Sequence, residues 1–135
     1  MENIRKYRIW DAKTKKYDNN PYLDYCLLPD GDLLILDNTF YERGTVVRQI
    51  KDDSRYVMEW CSGQKDKNGR LIYEGDCVRV KYGDQYLSYV VRYDAQLAGL
   101  YYDGGDEESS ESFDVFYYEE KEVVGNVHQL PSVQV

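Results

Sequence analysis

No stretch of this chain sustains the apolar spacing of a long helix. What recurs instead is the short apolar run, cut off by Gly, Asn, Asp or Pro. Tyr7-Arg8-Ile9-Trp10 is a strand candidate ended by the charged stretch Asp11 to Lys16. Tyr22 to Leu28 is another, ended by the turn Pro29-Asp30-Gly31-Asp32. Leu33 to Leu36, Thr45 to Ile50 and Arg55 to Cys61 follow, with Asp52-Asp53-Ser54 interrupting the last two. Thr39 to Gly44 reads as a short helix capped by Asn38, or equally as a loop.

The second half is more regular. Asn68-Gly69 is a hairpin signal, read as a type I′ turn because both residues tolerate positive φ, and Glu74-Gly75-Asp76 and Gly83-Asp84 mark further reversals. Around these turns lie Arg70 to Tyr73, Cys77 to Tyr82 and Tyr86 to Tyr93. Leu100-Tyr101-Tyr102, Phe113 to Tyr118 and Val123 to Val127 complete the series. Val78, Val80 and Tyr82 share one strand face, with Arg79 and Lys81 on the other. Short strands about ten residues apart predict a mainly β protein, a small barrel or sandwich. The expected core is Ile9, Trp10, Leu34, Leu36, Val47, Trp60, Ile72, Val78, Val80, Val91, Phe116, Val124 and Val127.

Charge is unevenly placed. The chain has 25 acidic and 17 basic side chains, and residues 103–122 hold nine of the former and one of the latter, so the remainder is balanced at sixteen each. Within that segment, Gly104 to Ser112 carries no apolar side chain and is expected to be a solvated, mobile loop between two strands. Fifteen tyrosines outnumber three Phe and two Trp. Tyrosine suits both a strand with one wet face and a contact surface.

Catalytic and metal chemistry find little support. The only histidine, His128, has no nucleophile motif beside it, and no phosphate-binding glycine loop is present. Cys26, Cys61, Cys77 and His128 lack the paired spacing of a zinc site and read as reduced, small core residues. Asp30-Gly31-Asp32 lacks the glutamate of a calcium loop. No enzyme activity, cofactor or metal is therefore expected. The opening Met1 to Lys6 mixes both charges with no apolar block behind it, and no apolar run approaches membrane-spanning length, so a cytoplasmic protein is expected.

Three stretches in order resemble the YopX family of bacteriophage and prophage proteins. Tyr7-Arg8-Ile9-Trp10-Asp11 with Lys15-Lys16-Tyr17 is similar to its opening strand and turn, and Gly63 to Val78 to its central block. Val123-Val124-Gly125-Asn126-Val127-His128, followed by Pro131, is similar to its closing strand. Cys61-Ser62 stands where a Tyr-Thr pair is usual, and Cys77 where an Ile is usual. The resemblance implies an SH3-like barrel and a gene carried by a phage or integrated element of a bacterial host. It implies no reaction. On this footing residues 1–62 are expected to form an N-terminal β-rich lobe and 63–135 an SH3-like barrel with an acidic loop over 103–112, packed as one compact unit.

The function expected is a protein-interaction module. Asp106, Glu107, Glu108 and Glu111 would steer a basic partner that docks on Tyr101 and Tyr102. Nucleic acid is the alternative, with Arg79, Lys81 and Arg92 beside Tyr82, Tyr89 and Tyr93. The acidic balance argues against it, because that affinity comes largely from a basic surface. A sharper form has the acidic run imitate a phosphate backbone and occupy a basic host protein. Tyrosine-rich faces are also compatible with a homo-oligomer.

Overall fold

The computed structural model describes residues 7–18, 20, 22–28, 32–39, 42–51, 55–106 and 109–129. Among them there are strands, turns and one 3-10 turn (Val127–Gln129) but no α-helix, and the protein is mainly β. The chain divides near Glu59 into two units, Arg8–Met58 and a second unit holding everything from Glu59 onward.

In the first unit, β1 (Tyr7–Asp11) and β2 (Lys16–Asp18) form a hairpin in which Trp10 opposes Tyr17. Asp11 organises it: its carboxylate accepts from the Lys13 amide at 3.0 Å and from Arg55 through Nε and Nη2, both at 3.0 Å. The hydrogen bond from Arg55 outweighs burial and holds the Asp11 carboxyl down at about 2. A separate antiparallel sheet has the order β3 (Leu23–Leu27), β4 (Leu33–Asp37), β5 (Val46–Ile50). Tyr25, Leu33, Ile35 and Ile50 are buried, whereas Leu34 and Leu36 are half-buried and Val47 is 55% exposed. This corrects the expected core by one residue. Leu33-Leu34-Ile35-Leu36 is apolar at every position, so its alternation carried no phase. Of the two readings of Thr39 to Gly44, the described residues carry the loop: the Asp37 carboxylate accepts from the Thr39 amide at 2.7 Å, and Glu42–Gly44 is a turn with Gly44 at φ 87°. The turns expected at Pro29-Asp30-Gly31 and Asp52-Asp53-Ser54 lie outside the described residues.

The second unit begins within β6 (Tyr56–Lys65), which pairs with β7 (Leu71–Tyr73). Its main feature is a curled five-stranded antiparallel half-barrel made from β8 (Asp76–Tyr82), β9 (Gln85–Asp94), β10 (Gly99–Asp103), β11 (Glu111–Ser112) and β12 (Glu120–Asn126). The strand order is β11-β10-β9-β8-β12. Ile72, Val78, Val80, Tyr89, Val91, Tyr102, Phe116 and Val123 form the core on its concave side. Trp60 and Val124, both expected there, are exposed at 43% and 45%, while their neighbours Glu59 and Val123 point inward. Gly69 is at φ 79° and Asn68 has no positive φ, so the hairpin is not the type I′ turn expected.

Phe113 to Tyr118, expected as a strand, is instead a succession of turns. The amides of Val115, Tyr117 and Glu119 donate to carbonyls three residues back, at 3.2, 3.2 and 3.1 Å. This segment joins β11 at one edge of the half-barrel to β12 at the other, and so straps across its open side. Phe113 stacks on Tyr102 at 4.7 Å, and Phe116 meets Tyr102 and Tyr89 at 5.4 Å each. The spacing of the two phenylalanines is that of a turn of helix, not of a strand.

Candidate functional site

Of the described residues singled out for partner binding, Tyr102 is not at the surface. Tyr102 is fully buried, and its hydroxyl has no hydrogen-bond partner. Burial accordingly pushes the phenol well above its ordinary range. Tyr101 is half-buried opposite Arg92 and Ser112. Glu111 belongs to β11 opposite Tyr102. The described part of the acidic loop is held by hydrogen bonds of its own. Asp103 accepts the Gly105 amide at 2.9 Å, Asp106 accepts the Ser109 amide at 2.8 Å, and the Ser110 hydroxyl donates to the Asp106 carbonyl at 2.8 Å. A Cβ on Gly104 would lie 2.4 Å from the Ser109 carbonyl oxygen, so the two ends of the loop are pressed together. Polar side chains closing backbone turns supplied the order that apolar contacts did not. Glu107 and Glu108 lie outside the described residues.

The basic face also differs from expectation. Arg79, Lys81 and Arg92 point to the outer side of the half-barrel, whereas Tyr82, Tyr89 and Tyr93 occupy positions of opposite parity. Tyr89 is in the core, and the tyrosine that shares the basic face is Tyr86, opposite Lys81. Two of the three cations are consumed internally: Arg79 pairs with Glu122 at 2.7 Å and Arg92 with Asp103 at 2.7 Å.

Sequence reasoning missed a set of buried polar side chains around the central block. Asp66, 8% exposed, accepts three backbone amides: Asn68 and Arg70 at 2.9 Å in its own turn, and Val123 of β12 at 3.0 Å. Burial pushes its carboxyl up, but these amides outweigh burial and hold it below its usual value. Glu59, 3% exposed, meets Nε2 of His128 at 2.7 Å. A Cβ on Gly75, at φ 89°, would come within 2.5 Å of a Glu59 oxygen, so a residue without a side chain is required there. Lys121, 5% exposed, donates to the carbonyls of Phe116 at 2.6 Å and Tyr117 at 3.1 Å, which ties the strap to β12. Burial lowers its pKa, against the attraction of Glu119. Cys26 is exposed, Cys61 half-buried and Cys77 buried, all as free thiols. Burial, with Asp76 nearby, pushes the Cys77 thiol up. Among the described residues no group of three or more Cys, His, Asp or Glu is placed to hold a metal ion. Nor is any of their helices long and apolar enough to cross a membrane.

With its two rings turned inward and its end tied by Lys121, the strap presents its other side chains to water. Tyr118 is 94% exposed, Tyr117 58%, and Val115 49%. Tyr117 and Tyr118 pack edge to face at 4.9 Å. Tyr82, 54% exposed at the rim of the half-barrel, meets Phe116 at 6.0 Å and extends the aromatic patch.

A sequence model of the family described as YopX protein matches residues 6–133. None of the curated proteins matches the chain. Two solved structures are similar over nearly its whole length. Protein yopX from Bacillus subtilis has a TM-score of 0.64 at 18% identity, covering 96% of this chain and 97% of its own. Protein EF1440 from Enterococcus faecalis has a TM-score of 0.60 at 24% identity, covering 93% and 94%. At these identities the likeness is one of fold.

Proposed function

The chain belongs to the YopX family, and within it we propose that this protein catalyses nothing and serves as a module that holds another protein. The observation that carries this reading is the strap. Tyr118 and Tyr117 stand in water on a segment whose Phe116 is 3% exposed in the core and whose carbonyls are tied to Lys121. A ring held out by a fixed backbone loses little freedom on binding and offers its apolar face to a partner. The half-barrel with its strap is read as an SH3-like barrel, carried by a phage or integrated element and working in the host cytoplasm. Its acidic segment speeds encounter with a basic partner. A nucleic-acid ligand, or imitation of one, is the alternative. The pairing of Arg79 and Arg92 with carboxylates counts against a nucleic-acid-binding face.

Affinity capture from bacterial lysate tests the reading, with wild type beside a Tyr117→Ser/Tyr118→Ser variant of unchanged melting behaviour. Specific recovery of a protein by wild type, reduced tenfold or more in the variant, is the expected result. Equal recovery by both would overturn it.

A further inference from the structure

Among the described residues, Arg55 and Arg79 each sit between a carboxylate and a tyrosine ring. Arg55 grips Asp11 at 3.0 Å and lies 4.8 Å from the centre of the Tyr56 ring. Arg79 pairs with Glu122 at 2.7 Å and lies 5.1 Å from the centre of the Tyr86 ring. A planar guanidinium suits this position, because it can donate in plane to the carboxylate while its face lies on the ring.

The strap carries exposed tyrosines, with carboxylates close to them in the chain, and has no arginine of its own. Among the described residues Tyr82, Tyr117 and Tyr118 have no cation over their rings, and Asp84 and Asp114 take part in no ion pair. Asp84 follows Tyr82 in the β8–β9 turn, and Asp114 lies one turn before Tyr117, whose amide donates to its carbonyl at 3.2 Å. The lysine within this stretch, Lys121, is buried with its ammonium bound to carbonyls, and Glu120 has Lys81 opposite it on the strand face turned away from Tyr82. The carboxylates on the outer strand face, Asp103 and Glu122, are by contrast neutralised by the protein's own arginines.

We infer that the strap face binds an arginine-bearing polypeptide segment, with guanidinium groups laid on Tyr82, Tyr117 and Tyr118 and donating to Asp84 and Asp114. The inference rests on the protein-holding reading above and names the chemistry of the partner. Charge alone would accept lysine as readily. The tyrosine faces make the site prefer arginine.

The test is a titration of the full chain into fluorescein-labelled octa-arginine and octa-lysine at low salt, followed by anisotropy. Octa-arginine should bind saturably and at least about fivefold tighter than octa-lysine, and Tyr117→Ser/Tyr118→Ser should remove that gap. Asp84→Asn/Asp114→Asn should weaken both peptides while leaving a gap between them. Equal affinities, a gap that survives the tyrosine substitutions, or no saturable binding would overturn the inference. If the peptides fail while capture of a lysate protein still depends on Tyr117 and Tyr118, the arginine assignment falls and the protein-holding reading stands. If neither depends on the tyrosines, both fall.

Discussion

Asp66 and Asp106 are both aspartates that accept backbone amides in turns of the second unit, yet they do opposite work. Asp66 is buried and reaches out of its own turn to β12, joining chain segments 57 residues apart. Asp106 is exposed, and its carboxylate accepts the amide of Ser109, three residues on. The first fastens the β6–β7 hairpin to the half-barrel, and the second only shapes the loop that contains it. A carboxylate matters to the fold in proportion to the amides that would be left without water or partner in its absence.

The largest effect expected from breaking this contrast is at Asp66. Asp66→Ala strands three amides, and should lower stability by about 3 kcal/mol or more in urea unfolding. Acid should act on the same side of the comparison. The carboxyls of Asp66 and Asp11 are held below their unfolded value of 3.8, so the stability they contribute is complete above that pH and lost as pH falls toward their folded values. Unfolding free energy should therefore decline as the pH drops below about 4, and Asp11→Asn should flatten the decline.

Smaller changes sharpen the contrast. Tyr102→Phe removes a buried hydroxyl that bonds nothing, and should raise stability by about 1 kcal/mol while leaving partner recovery unchanged. A fall in recovery would restore Tyr102 as a contact residue. Asp106→Asn retains an acceptor oxygen for the Ser109 amide in an exposed turn, and should shift unfolding by no more than about 0.5 kcal/mol.

The same contrast marks what was legible in the sequence. Turn residues announced the strands of the second unit, and the alternation of Val78 and Val80 against Arg79 gave its core face. Phase was lost where alternation was absent, as in Leu33 to Leu36. In Tyr56-Val57-Met58-Glu59-Trp60, the inward carboxylate finds its histidine 69 residues away. No local pattern announces such a partner. Phe113 to Tyr118 misled because β-forming residues fill it, although Phe113 and Phe116 are spaced for a turn. The acidic stretch drew attention by its charge, while the exposed aromatic face lay in the strap that follows it. Tyr101 and Tyr102 were read as surface because tyrosine carries a polar tip, but the strap covers Tyr102 with two phenyl rings.

Holding a partner on the strap requires the strap to be a fixed element that keeps its tyrosines out, and hydrogen exchange read amide by amide tests that most directly. The amides of Val115, Tyr117 and Glu119 should exchange at least about a hundredfold slower than in an unstructured peptide, and Lys121→Met should abolish that protection while the amides of Val78 and Val80 stay protected. Exchange of the three strap amides at the unstructured rate in the wild-type protein would contradict it.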